Sequence, residues 1–178
     1  MFYRSARLFL RPAWPEDWRD IWQGIADEGI TRNLATAPWP YTMDHARNFV
    51  SLPRDPAYPT FLLTEPAENG AVIGCAGLGT HEGQAELGYW IARPFWGRGY
   101  ATEAAKAVLE IARMLGHDQV VASHYLDNPA SGKVLRKAGF RPTGRVEQHH
   151  CLARGGEADA VVYVCDLGEE TRMPQRAA

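Results

Sequence analysis

The sequence is poor in cysteine and contains no long apolar run. Its three cysteines, Cys75, Cys151 and Cys165, lie far apart among 178 residues, without the close pairing that a structural zinc site requires. An odd number of cysteines is most simply interpreted as free thiols in a reducing compartment. No segment approaches the about 20 apolar residues that cross a bilayer. We therefore expect a cytoplasmic protein with no membrane partner.

Positive charge is not in excess either. The chain carries 19 Lys and Arg residues against 21 Asp and Glu residues, a formal net charge of -2. A nucleic-acid surface needs a basic field, so no nucleic-acid partner is expected. The hydrophobic fraction of 46% is that of a globular protein. The length fits one domain, which we assign to residues 1–168, followed by a polar tail over residues 169–178.

Helical and strand periodicities alternate along the chain. The longest helical pattern runs from about Gly99 to Leu115, with small and apolar residues at helical spacing and Gly116 as the stop. Apolar runs before and after it read as strands, and Gly155-Gly156 separates the last two of them. This order predicts an α/β sheet that ends in a C-terminal hairpin.

The turn before the long helix is the most informative segment. It reads Trp-Gly-Arg-Gly-Tyr-Ala-Thr from Trp96 to Thr102. The first N–H groups of a helix have no internal partner, and the helix dipole places partial positive charge there. Gly97 and Gly99 let a ligand approach the backbone, and Arg98 adds donors for phosphate oxygens. The turn therefore predicts a diphosphate-binding loop.

Three kinds of phosphate loop were compared with this turn. A P-loop requires Gly-Lys-Ser/Thr, which is missing, and a dinucleotide fold requires Gly-x-Gly-x-x-Gly/Ala, whose last place Thr102 occupies. The third pattern, Gln/Arg-x-x-Gly-x-Gly/Ala, is the coenzyme A loop of the GNAT acetyltransferase superfamily. Gly99 and Ala101 fit its last two places. Trp96 replaces the usual Gln or Arg, which resembles the RimJ/RimL-like subgroup of ribosomal-protein N-terminal acetyltransferases.

A second segment strengthens this resemblance. Residues 128–140 contain Asn128, Ser131 and Gly139-Phe140, similar to the superfamily's Asn-x-x-Ser...Gly-Phe element. The local chemistry agrees, because Asn128 is a good N-cap and Gly139 a good helix stop. The resemblance extends over residues 3–167 and is most specific over residues 86–140.

The resemblance implies a fold, a cofactor and a set of binding residues. The fold would be a single GNAT-type domain, a central mixed and mostly antiparallel sheet of six to seven strands, splayed at the cofactor site and flanked by about four helices. The cofactor would be acetyl-coenzyme A, with no metal. Its binding residues would be Trp90, Ile91, Ala92, Trp96, Gly97, Arg98, Gly99, Tyr100, Ala101, Thr102, Asn128, Ser131 and Lys133. Lys133 is equally well explained as a solvated helix lysine.

Two residues are candidates for proton transfer. Glu86 lies on the strand before the loop, on the face shared by Gly88 and Trp90, and resembles the family's strand glutamate; a rim or ion-paired glutamate is the alternative. Ser131 corresponds to the serine with which the subgroup protonates the leaving thiolate. Its alternative role is a hydrogen bond to its own helix backbone. Leu135 occupies the position where many family members have a tyrosine.

Two adjacent histidines, His149 and His150, precede Cys151 in the last part of the chain. The subgroup's second glutamate falls at His150, a residue able to accept protons near neutral pH, although a half-buried strand histidine explains it as well. His149, His150 and Cys151 do not indicate a metal, because successive strand residues point to opposite faces.

The expected activity is transfer of an acetyl group from a thioester to a primary amine, directly within a ternary complex. The amine would belong to a protein N-terminus, an amino acid or a small molecule. Two other functions remain open: a non-catalytic acyl-coenzyme A sensor, and a nucleotide-binding module that uses the same loop for NAD or ATP. The protein would be a monomer or a homodimer.

Overall fold

The computed structural model describes residues 1–168, and the tail expected over residues 169–178 lies outside this range. The five α-helices among the described residues are α1 (Trp18–Ile25), α2 (Glu28–Thr31), α3 (Met43–Ser51), α4 (Tyr100–Met114) and α5 (Pro129–Ala138). The eight strands are β1 (Tyr3–Arg4), β2 (Phe9–Arg11), β3 (Thr60–Glu65), β4 (Ala71–His81), β5 (Gln84–Ile91), β6 (Gln119–Tyr125), β7 (Arg141–Cys151) and β8 (Gly156–Asp166).

All described strands form one sheet in the order β1-β2-β3-β4-β5-β6-β8-β7. Only β5 and β6 are parallel neighbours, and the last two strands form the hairpin that the sequence predicted. The α/β fold is therefore confirmed. The sheet has more strands than the six to seven expected, and there is one more helix than expected. The two-residue β1 and the four-residue α2 are too short to produce a periodicity in the sequence.

The sheet opens in its middle. β5 and β6 are paired only at Ala85↔Val120 and Glu86↔Val121. The rest of β5, up to Ile91, pairs with β4 on its other side but diverges from β6. This is the splay that the resemblance implied.

Each face of the sheet carries its own apolar core. The larger core packs α4 and α5 against one face and includes Val108, Ile111, Leu135 and Tyr163. The second core covers the opposite face near α1 and α3 and includes Ile21, Ala46 and Trp90. No helix within residues 1–168 is both long and apolar enough to cross a membrane.

Candidate active site

The phosphate loop has the backbone that its glycines predicted. Gly97 and Gly99 adopt φ values of 74° and 83°, a left-handed conformation that costs an L-residue with a side chain about 1–2 kcal/mol. Gly99 is the N-cap of α4. The first helical bond is donated by the Glu103 N–H to the Gly99 carbonyl at 3.2 Å. The N–H groups before Glu103 therefore point out of the helix end, toward the site expected for phosphate.

Trp96 fixes the loop to the end of β5. Its indole Nε1 donates a hydrogen bond to the Ile91 carbonyl at 2.6 Å, and the Arg93 guanidinium lies 4.5 Å from the centre of its ring. The side chain nevertheless remains 46% exposed. Trp96 is thus a loop-positioning residue with one open face.

Two arginines lie beside the loop. The Arg98 guanidinium pairs with Glu68 at 2.9 Å, and because this pair is exposed, solvent screens it and it adds little to stability. Arg7 was not identified from the sequence. Its Nη1 donates to the Arg98 carbonyl at 3.0 Å, and its Nη2 lies 3.6 Å from the position of a Cβ on Gly99. Only folding brings Arg7, which lies before β2, to this helix end.

The free edge of β5 faces the gap in the sheet. The Ala92 N–H donates to the Ile73 carbonyl on the β4 side at 2.9 Å. Because strand residues alternate in the direction of their backbone groups, the N–H and C=O groups of Tyr89 and Ile91 point the other way, into the splay. The Ile91 carbonyl already accepts the hydrogen bond from the Trp96 indole. The remaining groups form a short edge that can pair with an extended, amide-containing ligand.

On the α4–α5 side of the gap, two hydroxyl groups meet. The Tyr89 hydroxyl and Ser131 Oγ are 2.7 Å apart. Burial raises the pKa of Tyr89 to about 12, although the bond to Ser131 acts in the opposite direction. The Asn128 side chain caps α5 by accepting from the Ser131 N–H at 3.4 Å. The Ser131 hydroxyl therefore contacts Tyr89, while its backbone N–H bonds to the cap residue Asn128. The sequence did not reveal Tyr89 as a partner of Ser131.

Glu86 lies on the opposite face of β5. Its register neighbour on β4 is Gly79, while Gly88 lies one step further along the same face. Both glycines are exposed, and a Cβ built on either one meets no atom within 4 Å. Gly79 and Gly88 thus form an open floor, named here the glycine floor. Further along, the same face is covered where Trp90 packs against α1 at Gly24.

A small polar pocket adjoins Glu86. It includes Ser123 and His149, and the Ser123 hydroxyl lies 3.5 Å from Glu86 Oε1 and 3.2 Å from His149 Nδ1. The sequence pointed to His150 as the possible base of this strand. The structure instead places the exposed His150 side chain on the other face of β7 and directs His149 into the pocket. Because side chains alternate along a strand, the sequence shows that His149 and His150 point to opposite faces of β7. It does not show which of these faces borders the pocket.

The predicted site residues therefore fall into four groups. The loop from Trp96 to Thr102 lies at one end of the gap, and Asn128 and Ser131 lie on its α5 side. Trp90, Ile91 and Ala92 lie at the end of β5, and Glu86 lies on the open face. Lys133 is exposed on α5, and none of the described hydrogen bonds or ion pairs involves it. The roles of these residues remain predictions.

Comparisons with known proteins agree with this geometry. A family model described as acetyltransferase (GNAT) domain matches residues 7–141. The chain is 27% identical over 175 residues to a Bacillus subtilis (strain 168) protein described as the uncharacterized N-acetyltransferase YnaD, covering 96% of this chain and 99% of that protein. The chain therefore belongs to the GNAT acetyltransferase family, and it is an N-acetyltransferase.

Solved structures share the whole fold. A GNAT-family acetyltransferase from Bacillus anthracis superposes with a TM-score of 0.81 at 22% identity, covering 95% of this chain and 100% of that one. The ribosomal-protein acetyltransferase RimL, solved with coenzyme A, gives a TM-score of 0.78 at 18% identity, covering 96% of this chain and 100% of that one. At these identities the two structures confirm the GNAT fold, which this chain shares with RimL. The family uses acetyl-coenzyme A, and its reaction includes an acceptor substrate.

Proposed function

We propose that this protein binds acetyl-coenzyme A in the gap between β5 and β6 and transfers the acetyl group directly to a primary amine. The observation that carries the proposal is the alignment of two features: the free edge of β5 and the N-terminus of α4 at the end of that edge. An elongated ligand with amides in one half and a diphosphate in the other fits both.

Each part of the cofactor has a matching group. The diphosphate would bind the N–H groups from Gly97 to Thr102, with Arg7 and Arg98 supplying positive charge. The pantetheine arm would pair with the backbone edge at Tyr89 and Ile91, and Trp90 and Ala92 complete that stretch of chain. The Asn128 amide NH₂, which the helix cap leaves free, would bind a carbonyl of the arm.

The chemical step needs mainly alignment. The amine nitrogen attacks the thioester carbonyl carbon, and the C–S bond then breaks. Holding two reactants in place contributes roughly 7–11 kcal/mol, whereas proton transfer contributes about 10²–10⁴-fold in rate. A thioester is already an activated acyl donor, so this direct transfer needs no metal. Positioning in the gap is therefore the larger contribution.

Proton transfer would be divided between the two faces of β5. Glu86, on the open face, takes the proton that the amine loses. Ser131, on the α5 side, gives a proton to the leaving thiolate, and the Tyr89 hydroxyl, 2.7 Å away, is the hydrogen-bond partner that holds Ser131 Oγ in place. The amine and the thiol are thus served from opposite sides of the acyl group.

The acceptor would approach over the glycine floor. This surface is open at Gly79 and Gly88 and leads to Glu86, so an extended amine can reach the gap without steric obstruction. An N-terminal peptide, an amino acid and a small amine all carry the required primary amine.

Titration calorimetry with acetyl-coenzyme A, NAD and ATP tests the binding part. We expect acetyl-coenzyme A to bind best, and Gly99→Ala to weaken it at least about tenfold, or about 1.4 kcal/mol. Gly83→Ala is the matched control, because Gly83 also has a left-handed φ, of 79°, and free space around it. Both variants carry the same backbone strain, but only Gly99 lies in the loop.

Release of free thiol in the presence of amino acids, small amines and N-terminal peptides tests the reaction. Tight acetyl-coenzyme A binding with no thiol release from any acceptor would favour the sensor function. Stronger binding of NAD or ATP would favour the nucleotide-binding module. Equal loss of affinity in Gly99→Ala and Gly83→Ala would contradict the loop assignment.

A further inference from the structure

His81, Glu147 and His149 meet beside the polar pocket. One donor atom from each lies within 4.8 Å of the others. Glu147 and His149 are two residues apart on β7 and share a face, while His81 comes from the end of β4. The rings of His81 and His149 have centroids 5.0 Å apart. Two hairpins thus bring two imidazoles and one carboxylate to the same point.

His149 can present a bare nitrogen to the pocket. The Ser123 hydroxyl lies 3.5 Å from Glu86 Oε1 and 3.2 Å from Nδ1 of His149. In the tautomer whose proton is on Nδ1, His149 donates to the Ser123 oxygen and has a bare lone pair on Nε2. That nitrogen is buried and has no hydrogen-bond partner among the described residues.

Nε2 of His149 faces a carboxylate oxygen. It lies 3.6 Å from Glu147 Oε2, while the other carboxylate oxygen, Oε1, pairs with Arg145 at 3.2 Å. A lone pair and a carboxylate oxygen repel each other unless a proton on Nε2 or a metal ion held by both atoms lies between them.

The geometry suits a metal ion. Ligands about 2.0–2.1 Å from a tetrahedral zinc ion are about 3.4 Å apart, close to the observed 3.6 Å between His149 and Glu147. A donor atom of His81, which lies within 4.8 Å of the other two, would have to move closer to complete the site. A hydrogen bond from the second ring nitrogen, here to Ser123, is the usual support for a metal-binding histidine. Two histidines and one glutamate form a known zinc ligand set with an open fourth position.

We propose that His81, Glu147 and His149 bind one divalent transition-metal ion of the zinc class. The ion would lie beside Glu86, connected to it through Ser123, at the side of the glycine floor. Its binding does not depend on acyl transfer, so the two proposals can succeed or fail separately.

Zinc affinity is measured by competition with a chromophoric chelator, without any acyl donor. We expect one ion per chain, and a loss of at least about tenfold in affinity for His149→Ala and for His81→Ala, as removal of a ligand requires. His150→Ala is the matched control, because His150 is adjacent on β7 but exposed on the opposite face. Glu147→Gln, which keeps the side-chain shape, should also weaken binding if it folds normally by circular dichroism.

Cobalt spectroscopy identifies the ligands directly. We expect tetrahedral d–d absorption without a thiolate charge-transfer band, because Cys75, Cys151 and Cys165 are buried elsewhere. A thiolate band, no zinc binding at micromolar concentrations, or an equal effect of His150→Ala would overturn the proposal. An equal effect of His150→Ala would indicate adventitious binding to surface histidines. No zinc binding would indicate a protonated His149 paired with Glu147.

Discussion

Individual residues of the site acquire their properties from neighbours that are distant in sequence. Glu86 is half-buried and lies near the Ser123 hydroxyl, and Ser131 contacts Tyr89. Glu86 and Ser131 are on opposite faces of the strand that borders the gap. The proposed mechanism assigns them different protons for this reason, one leaving the amine and one reaching the thiolate.

Glu86→Gln should lower kcat by about 10²-fold, equivalent to about 2.7 kcal/mol, with acetyl-coenzyme A affinity unchanged. The amide keeps the shape of the side chain but cannot take the amine proton. Ser131→Ala should have a smaller effect, because a thiolate leaves readily. Steady-state kinetics with calorimetry check both variants, and Glu157→Gln, an exposed glutamate on β8, is the control. A near-normal kcat for Glu86→Gln would remove Glu86 from the mechanism.

At the scale of elements, a buried ion pair joins the edge of the sheet to α1. Arg11 on β2 contacts Asp17 through two bonds of 2.7 Å, Nη1 to Oδ2 and Nη2 to Oδ1. Asp17 Oδ2 also accepts from the Trp14 N–H at 2.6 Å. Burial acts to raise the pKa of Asp17, but the bonds from Arg11 and Trp14 outweigh it and lower the pKa. The carboxylate therefore stabilises the fold at pH values above the ordinary pKa of aspartate. This contribution is lost as the pH falls through the lowered pKa of Asp17.

Asp17→Asn should lower the free energy of unfolding by about 3 kcal/mol, because it leaves Arg11 buried without a counter-charge. Urea denaturation at neutral pH measures this change. In Asp44→Asn, the pair with Arg47 is exposed, so the loss should stay below about 1 kcal/mol. Similar losses of unfolding free energy in the two variants would mean that the buried Arg11–Asp17 pair stabilises the fold no more than an exposed pair.

Local signals in the sequence predicted most elements but few of their contacts. The Asn128 cap of α5 and the glycine at the start of α4 appear where the sequence placed them, because caps depend on neighbouring residues. The meeting of His81 with His149, and of Tyr89 with Ser131, depends on which strands are adjacent. Strand order and register are set by the packing of the whole sheet, so no short motif contains them.

At the scale of the molecule, several neutral acids are buried in the two cores. Burial raises the pKa of Cys75 to about 12 and the pKa of Tyr41 to about 12, and Tyr89 behaves similarly. In the unfolded chain these groups ionise from about pH 9–10. Above that pH the folded state binds more protons than the unfolded state, so stability must fall as the pH rises.

The free energy of unfolding should therefore decline above about pH 9, and each such group adds up to about 1.4 kcal/mol per pH unit to the slope. Burial also raises the pKa of Cys165, so Cys75→Ala removes one of two such thiols and its decline should be less steep. Urea denaturation at pH 7 gives the cost of the cavity alone, and the series from pH 8 to 11 gives the titration. An unchanged slope in Cys75→Ala would exclude the thiol as a cause of alkaline instability.

The glycine floor has one further consequence. If the acceptor approaches over it as proposed, a surface without side chains cannot tell one amine from another, so discrimination would fall to the segments that border it, around α1 and α3 and in the β7–β8 hairpin. The strand proposed to perform the transfer and the segments that choose the recipient would then be separate stretches of chain. Substitution in the bordering segments would redirect the enzyme to a new recipient while β5 and its loop stay the same.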